Sequence, residues 1–164
     1  MYKYIGKPIH KINVSEEYWR LAAEDEETAI FLNRNDKHRH AMYFLIQAME
    51  KYVRSKIFTL VNPNIEYFRN KNKNHSLENA LKFLFEILSD DEMVKSQIKE
   101  QLYHNVLGNI QFFQLHNNLR YPWYLEKFNS YSVLEITKTD FNEVFDKLES
   151  LKAFLKDIHK LVEK

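Results

Sequence analysis

The stretch HAMYFLIQAMEKYVRSKIF, residues 40–58, is apolar around most of its circumference when wound as an α-helix. At about 100° per residue, Asp36, His40, Gln47, Glu50, Lys51 and Arg54 gather on one stripe roughly a third of the circumference wide. A helix with so narrow a polar stripe needs apolar neighbours on its other sides, which puts it at the centre of a bundle. We expect it to run from about Asp36 to Phe58.

The flanking sequence supplies those neighbours. Upstream, Ser15 can cap a helix through about Asn33, with Trp19, Ala22, Ala23, Ala29 and Ile30 on its inner face and Asp25 at the border of that face. The small alanines allow close approach. Downstream, VNPNIEYFRNKNKNH, residues 61–75, reads as a loop, because Pro and Asn discourage helix and lysines prefer water. Ser76 caps a third helix with Leu77, Leu81, Leu84 and Leu88 at helical spacing, and Ser89 with Glu92 makes a capping-box pattern for a fourth. The fourth is expected to pass Leu107, bend at Gly108 and continue through Leu115. Residues 116–138 form an unusually aromatic connection, in which Tyr121, Trp123, Tyr124, Phe128 and Tyr131 pin the chain to the core or offer stacking faces for bases. The last helix starts at Asp140, and its apolar residues from Phe141 to Val162 alternate at spacings of three and four. Residues 1–14, around Gly6 and Pro8, show no helical period and read as an extended arm, leaving residues 15–164 as one helical domain.

Composition agrees with this all-α reading of an up-and-down bundle of about five main helices. Length and apolar content, 164 residues of which 45% are hydrophobic, suit a single core. Two Gly and three Pro are too few for the turns of an all-β or α/β fold. A net charge of +1 creates no global field for nucleic acid or an anionic membrane, so any basic site is local. Without cysteine there is no disulfide framework and no zinc knuckle. His38 and His40 point to different helix faces and make a poor metal pair, so neither a metal nor a cofactor is expected. The longest apolar run, Ala41 to Ile46, is too short to span a bilayer, and no signal-peptide pattern opens the chain, so a cytoplasmic protein without membrane attachment is expected.

The central helix resembles the signature helix of HEPN domains, which carries a Gln-Ala-x-Glu-Lys core, here Gln47, Ala48, Glu50 and Lys51. YWRLAAEDEETA is similar to the first helix of that family, with Asp25 at its acidic position. His75, Ser76 and Leu77 look like its His-x-Leu element, and Arg120, Tyr121 and Pro122 look like its Arg-Tyr-Pro before the last helix. The resemblance covers about residues 15–163. It implies an up-and-down bundle, usually a homodimer, associated with nucleotide binding, RNA cleavage and pairing with small nucleotidyltransferases in toxin–antitoxin and defence systems.

Ribonuclease members of that family carry an Arg followed a few residues later by a His near the last helices. There the His takes the 2′-hydroxyl proton and the Arg stabilises charge on the phosphorus centre. After Arg120 no His occurs until His159, so the standard pair is missing. Arg34 with His40, and Arg69 with His75, have the spacing but lie in charge-rich stretches where chance produces it. His116 and Arg120 have the reversed order and lie one turn apart if the helix extends that far. They are the candidate catalytic pair, with basic residues at a helix C-terminus as the plain alternative.

The leading ligand site is the polar stripe. His40, Gln47, Glu50, Lys51 and Arg54, joined by His75 and Arg120, bring together cations for phosphate and an amide for a base edge. The competing reading is a solvated face on which Glu50 pairs with Arg54. Lys71, Lys73 and Arg69 are weaker phosphate candidates in a loop of ordinary solvated charge. The expectation is therefore a nucleotide- or RNA-binding homodimer lacking the standard ribonuclease motif. An active endoribonuclease and a pure protein-interaction module are the alternatives.

Overall fold

The computed structural model describes Lys3, residues 5–158 and Lys160. Among them, seven α-helices and one two-stranded sheet are formed: α1 (Val14–Arg34), α2 (His38–Leu60), α3 (Glu66–Lys71), α4 (Leu77–Leu88), α5 (Glu92–Gln101), α6 (Phe112–Arg120), β1 (Trp123–Leu125), β2 (Ser130–Ser132) and α7 (Lys138–Asp157). The all-α expectation holds at this level. The Val162 end of the last helix and His159 lie outside the described residues.

As the apolar circumference predicts, α2 is the hub. It packs against α1, α4, α6 and α7, and its Leu45, Ala48, Met49, Val53 and Ile57 are fully buried. α1 and α2 form an antiparallel hairpin, in which buried Ala22 and Ala29 permit close packing. Polar crosslinks fix its register. Ser15 and Ser55 exchange hydroxyl-to-carbonyl bonds of 2.9 Å, and the Tyr52 hydroxyl donates to Glu26 at 2.7 Å. Lys152 of α7 reaches the same Glu26 at 2.9 Å, tying the last helix to the first.

Several local expectations are corrected. α1 starts one residue before Ser15, because Asn13 is the cap and accepts from the Glu16 N–H. Trp19 is 58% exposed and so is not an inner-face residue. Asp36 adopts a left-handed conformation, φ 59°, in the turn before α2, and therefore drops out of the polar stripe. The stretch read as a loop contains α3. α5 is capped by Asp91, whose carboxylate accepts from the Met93 and Val94 amides, while Ser89 accepts from the Asp91 N–H instead of capping the helix.

The fourth helix does not bend through Gly108 but ends before it. α5 widens into a π-helical turn, Leu102–Val106. Gly108 and Asn109 then take successive left-handed conformations, φ 62° and 58°, which reverse the chain before α6 begins. Two such residues in a row are incompatible with a right-handed helix. The last helix begins at Lys138, with Thr137 and Asp140 forming a reciprocal capping box, so the expected first residue, Asp140, is part of the cap interaction.

The aromatic connection contains α6's last turn and a hairpin, Trp123 opposite Ser132 and Tyr124 opposite Tyr131. Its aromatics do not pin it to the core. Tyr121, Tyr124, Phe128 and Tyr131 are exposed, Tyr131 by 72%, while the aliphatic Leu134 and Ile136 pack against the core. The arm expected at residues 1–14 has neither helix nor strand over residues 5–13.

Candidate functional site

A cleft of about 290 Å³ opens where α2, the start of α4 and α6 meet, lined among others by Tyr43, Gln47, Lys51, His75, His116 and Arg120. Three segments far apart in sequence are brought together here by the packing of α4 and α6 on the same hub helix. Of the candidate residues, Gln47, Glu50, Lys51, His75, His116 and Arg120 all line it. His40 does not. It sits with Val133–Ile136 over a separate shallow depression, because seven residues of helix separate it from Gln47 by about 10 Å along the axis.

Arg54 is on the correct face but is 1% exposed. Its Nε donates to Glu50 at 2.8 Å, one Nη to the Asn72 side chain at 2.6 Å and the other to the Asn74 carbonyl at 2.5 Å. Asn72 in turn donates to the Tyr18 hydroxyl at 2.9 Å. Every guanidinium nitrogen is thus satisfied inside the protein, which suits a planar five-donor group. The Glu50–Arg54 pair expected on a solvated face is a buried one, and Glu50 is only 6% exposed. Arg54 therefore holds the segment before α4 in position and does not face a ligand. That segment presents His75, which is 67% exposed and 3.5 Å from Glu50.

Lys51 is likewise committed, donating to Asp25 of α1 at 2.5 Å with both side chains partly buried. Arg120 is exposed, bonds the Asn117 side chain at 2.9 Å and lies over the Tyr121 ring at 5.2 Å. Lys71, a phosphate candidate from the loop, pairs instead with Glu86 at 2.9 Å. Arg69, the partner that spacing suggested for His75, does not line the cleft.

His116 is the best-defined group in the cleft. Its ring stacks on Tyr43, centroids 5.1 Å apart and 19° from parallel, and its Nε2 lies 2.9 Å from the Gln47 side-chain nitrogen. An amide NH₂ only donates, so in this arrangement Nε2 accepts and the ring proton sits on Nδ1. Burial pushes the imidazole below its ordinary value, and the neighbouring Arg120 charge lowers it further against a smaller opposing effect of Glu50. The ring is neutral at pH 7, with its lone pair already engaged. The expected geometry of a helical turn between His116 and Arg120 is met by α6.

Sequence reasoning missed Tyr43, Asn72, Asn74 and Glu78. Tyr43 falls within the stripe at about 100° per residue, but as an aromatic it looks like one more apolar position. The asparagines sit in a stretch with loop composition. Glu78 accepts from the Phe113 N–H at 2.5 Å and so links the start of α4 to that of α6, a contact between segments that no local pattern announces. Among the described residues no cluster of His, Asp or Glu could hold a metal ion, and no helix is long and apolar enough to cross a membrane. Comparison with protein-family models, with curated proteins and with solved structures found no match.

Proposed function

We propose that the chain is a HEPN-like module that binds a nucleotide or a single RNA residue in this cleft without cutting it. The observation that carries the reading is convergence. Three of the four segments that bear the resemblance, around Gln47, around His75 and around Arg120, line one cleft that is large enough for a small ligand. Tyr43 and His116 offer a flat stacking wall, Gln47 an amide, and Arg120 an exposed guanidinium for a phosphate.

The same reading brings a homodimer, a small nucleotidyltransferase as partner protein and a cytoplasmic role in bacterial defence or toxin–antitoxin regulation. Against an active endoribonuclease stands the hydrogen bond from Gln47, which occupies the lone pair that a general base needs. In its favour is the placement of His116 and Arg120 on successive turns of one cleft wall. Incubation of the purified protein with RNA, with and without metal, is expected to leave the RNA intact, and calorimetric titration is expected to detect nucleotide binding that Gln47→Ala weakens. Specific cleavage abolished by His116→Ala would put the endoribonuclease reading first.

A further inference from the structure

The charges around the cleft cancel. Lining it are two carboxylates, Glu50 and Glu78, and two cations, Lys51 and Arg120. Lys51 is bonded to Asp25, and Glu50 to Arg54, so including these outer partners adds one charge of each sign and leaves the sum unchanged. His116 is held neutral by burial and by the neighbouring Arg120, and the exposed His75 lies 3.5 Å from Glu50.

A pocket built for phosphate has the opposite character: surplus cations, or an array of free amides, facing the anion. Among the described residues that line this cleft, Arg120 is exposed and Lys51 is paired with Asp25, while a carboxylate, Glu78, stands at the start of α4, where an anion would otherwise approach the helix. Its presence there opposes a dianion by direct repulsion. What the walls do offer is planar and uncharged. The parallel Tyr43–His116 pair presents a face, Ile46, Leu77 and Phe112 give apolar contact, and Gln47 has amide hydrogen-bonding capacity. At about 290 Å³ the space lies at the small end of ligand sites.

We propose that the cleft takes the nucleobase of its ligand, stacked against the Tyr43–His116 pair, and leaves the phosphate outside at Arg120. This rests on the nucleotide reading above and narrows it to recognition of the nucleoside end. The consequence is a protein that discriminates by base and is nearly indifferent to the number of phosphates. Its affinity would also depend little on salt, since neutralising at most one phosphate gives a log–log slope no steeper than about −1.

The test titrates the four ribonucleosides and their 5′-monophosphates into the intact protein by calorimetry, with inorganic pyrophosphate as competitor. The expected result is that the preferred nucleoside binds within about fivefold of its monophosphate, and that pyrophosphate in excess does not displace it. An Asp25→Asn variant, nearly isosteric, releases Lys51 and should raise the affinity for the monophosphate by about tenfold while leaving the nucleoside unchanged. Monophosphates bound more than about fiftyfold tighter than nucleosides, or displacement by pyrophosphate, would overturn the base-first inference and leave nucleotide binding standing. If no nucleoside, nucleotide or short RNA binds, the nucleotide reading falls and this inference falls with it.

Discussion

His116 is half-buried, with a guanidinium one turn away. Burial and, after it, the Arg120 charge favour the neutral ring against a smaller opposing effect of Glu50, so the folded protein holds that proton less tightly than the unfolded chain does. The unfolded state then binds more protons, and stability rises with pH across the window between the two values. This contribution is complete above about pH 6.5, the ordinary imidazole value, and is lost as the pH falls through the lower folded value. Urea denaturation at about pH 7.5 and about pH 5.5 should show wild type losing more stability on acidification than His116→Gln does. Equal losses in the two proteins would mean that other groups dominate the acid limb. At this scale the sequence is legible only in part. The polar stripe is visible from periodicity, but periodicity assigns a residue to a face and not to a depth. Arg54 and Lys51 look like two ligand-facing cations, and the structure commits both to carboxylates.

Elements follow from local signals where a single residue decides, and depart from them where two compete. Ser89 and Asp91 both suit a cap for α5, and the aspartate takes the role because its carboxylate reaches two amides. Ser76 has no such rival and caps α4 as its sequence suggests. Gly108 is compatible with a bend or a break. The neighbouring Asn109, also able to adopt a left-handed conformation, decides for a break. A Cβ at Gly108 would meet the Lys147 Cε at 2.9 Å, in a backbone conformation that costs an L-residue. Gly108→Ala should therefore destabilise the fold by about 1–2 kcal/mol, read as a shift in the urea midpoint. Adding Lys147→Ala should recover only a small part, because the lysine end can move aside while the backbone strain remains. Full recovery would assign the cost to the side-chain clash.

For the molecule as a whole, the hub arrangement was readable from composition and from one helix, since few turn residues and an almost wholly apolar α2 admit little but a helical bundle. The long-range contacts that assemble the cleft were not readable, because they join segments whose own patterns are complete without each other. The buried residues of α2, α4, α6 and α7 form one cluster, so damage to any part is felt throughout. Leu148 and Leu151 are both fully buried, and replacing either with Ala should cost about 2–5 kcal/mol, measured by denaturant unfolding. A smaller loss would mean that the site collapses around the deletion.

The Arg54 anchor gives the lysine-rich segment before α4 a different kinetic character from its composition. Detaching Asn72 and Asn74 would leave both terminal guanidinium nitrogens of Arg54 without acceptors in the interior, so the segment around Lys71 and Lys73 opens only when the hub helix loses its surroundings. A lysine-specific protease should therefore cut there at a rate that follows global unfolding, slowing in step with any change that stabilises the core. Rapid nicking of the native protein at Lys73 would show that the segment breathes independently. If the coupling holds, the cleft exists only while the whole bundle is intact, and its occupancy reports on folding as directly as any spectroscopic probe.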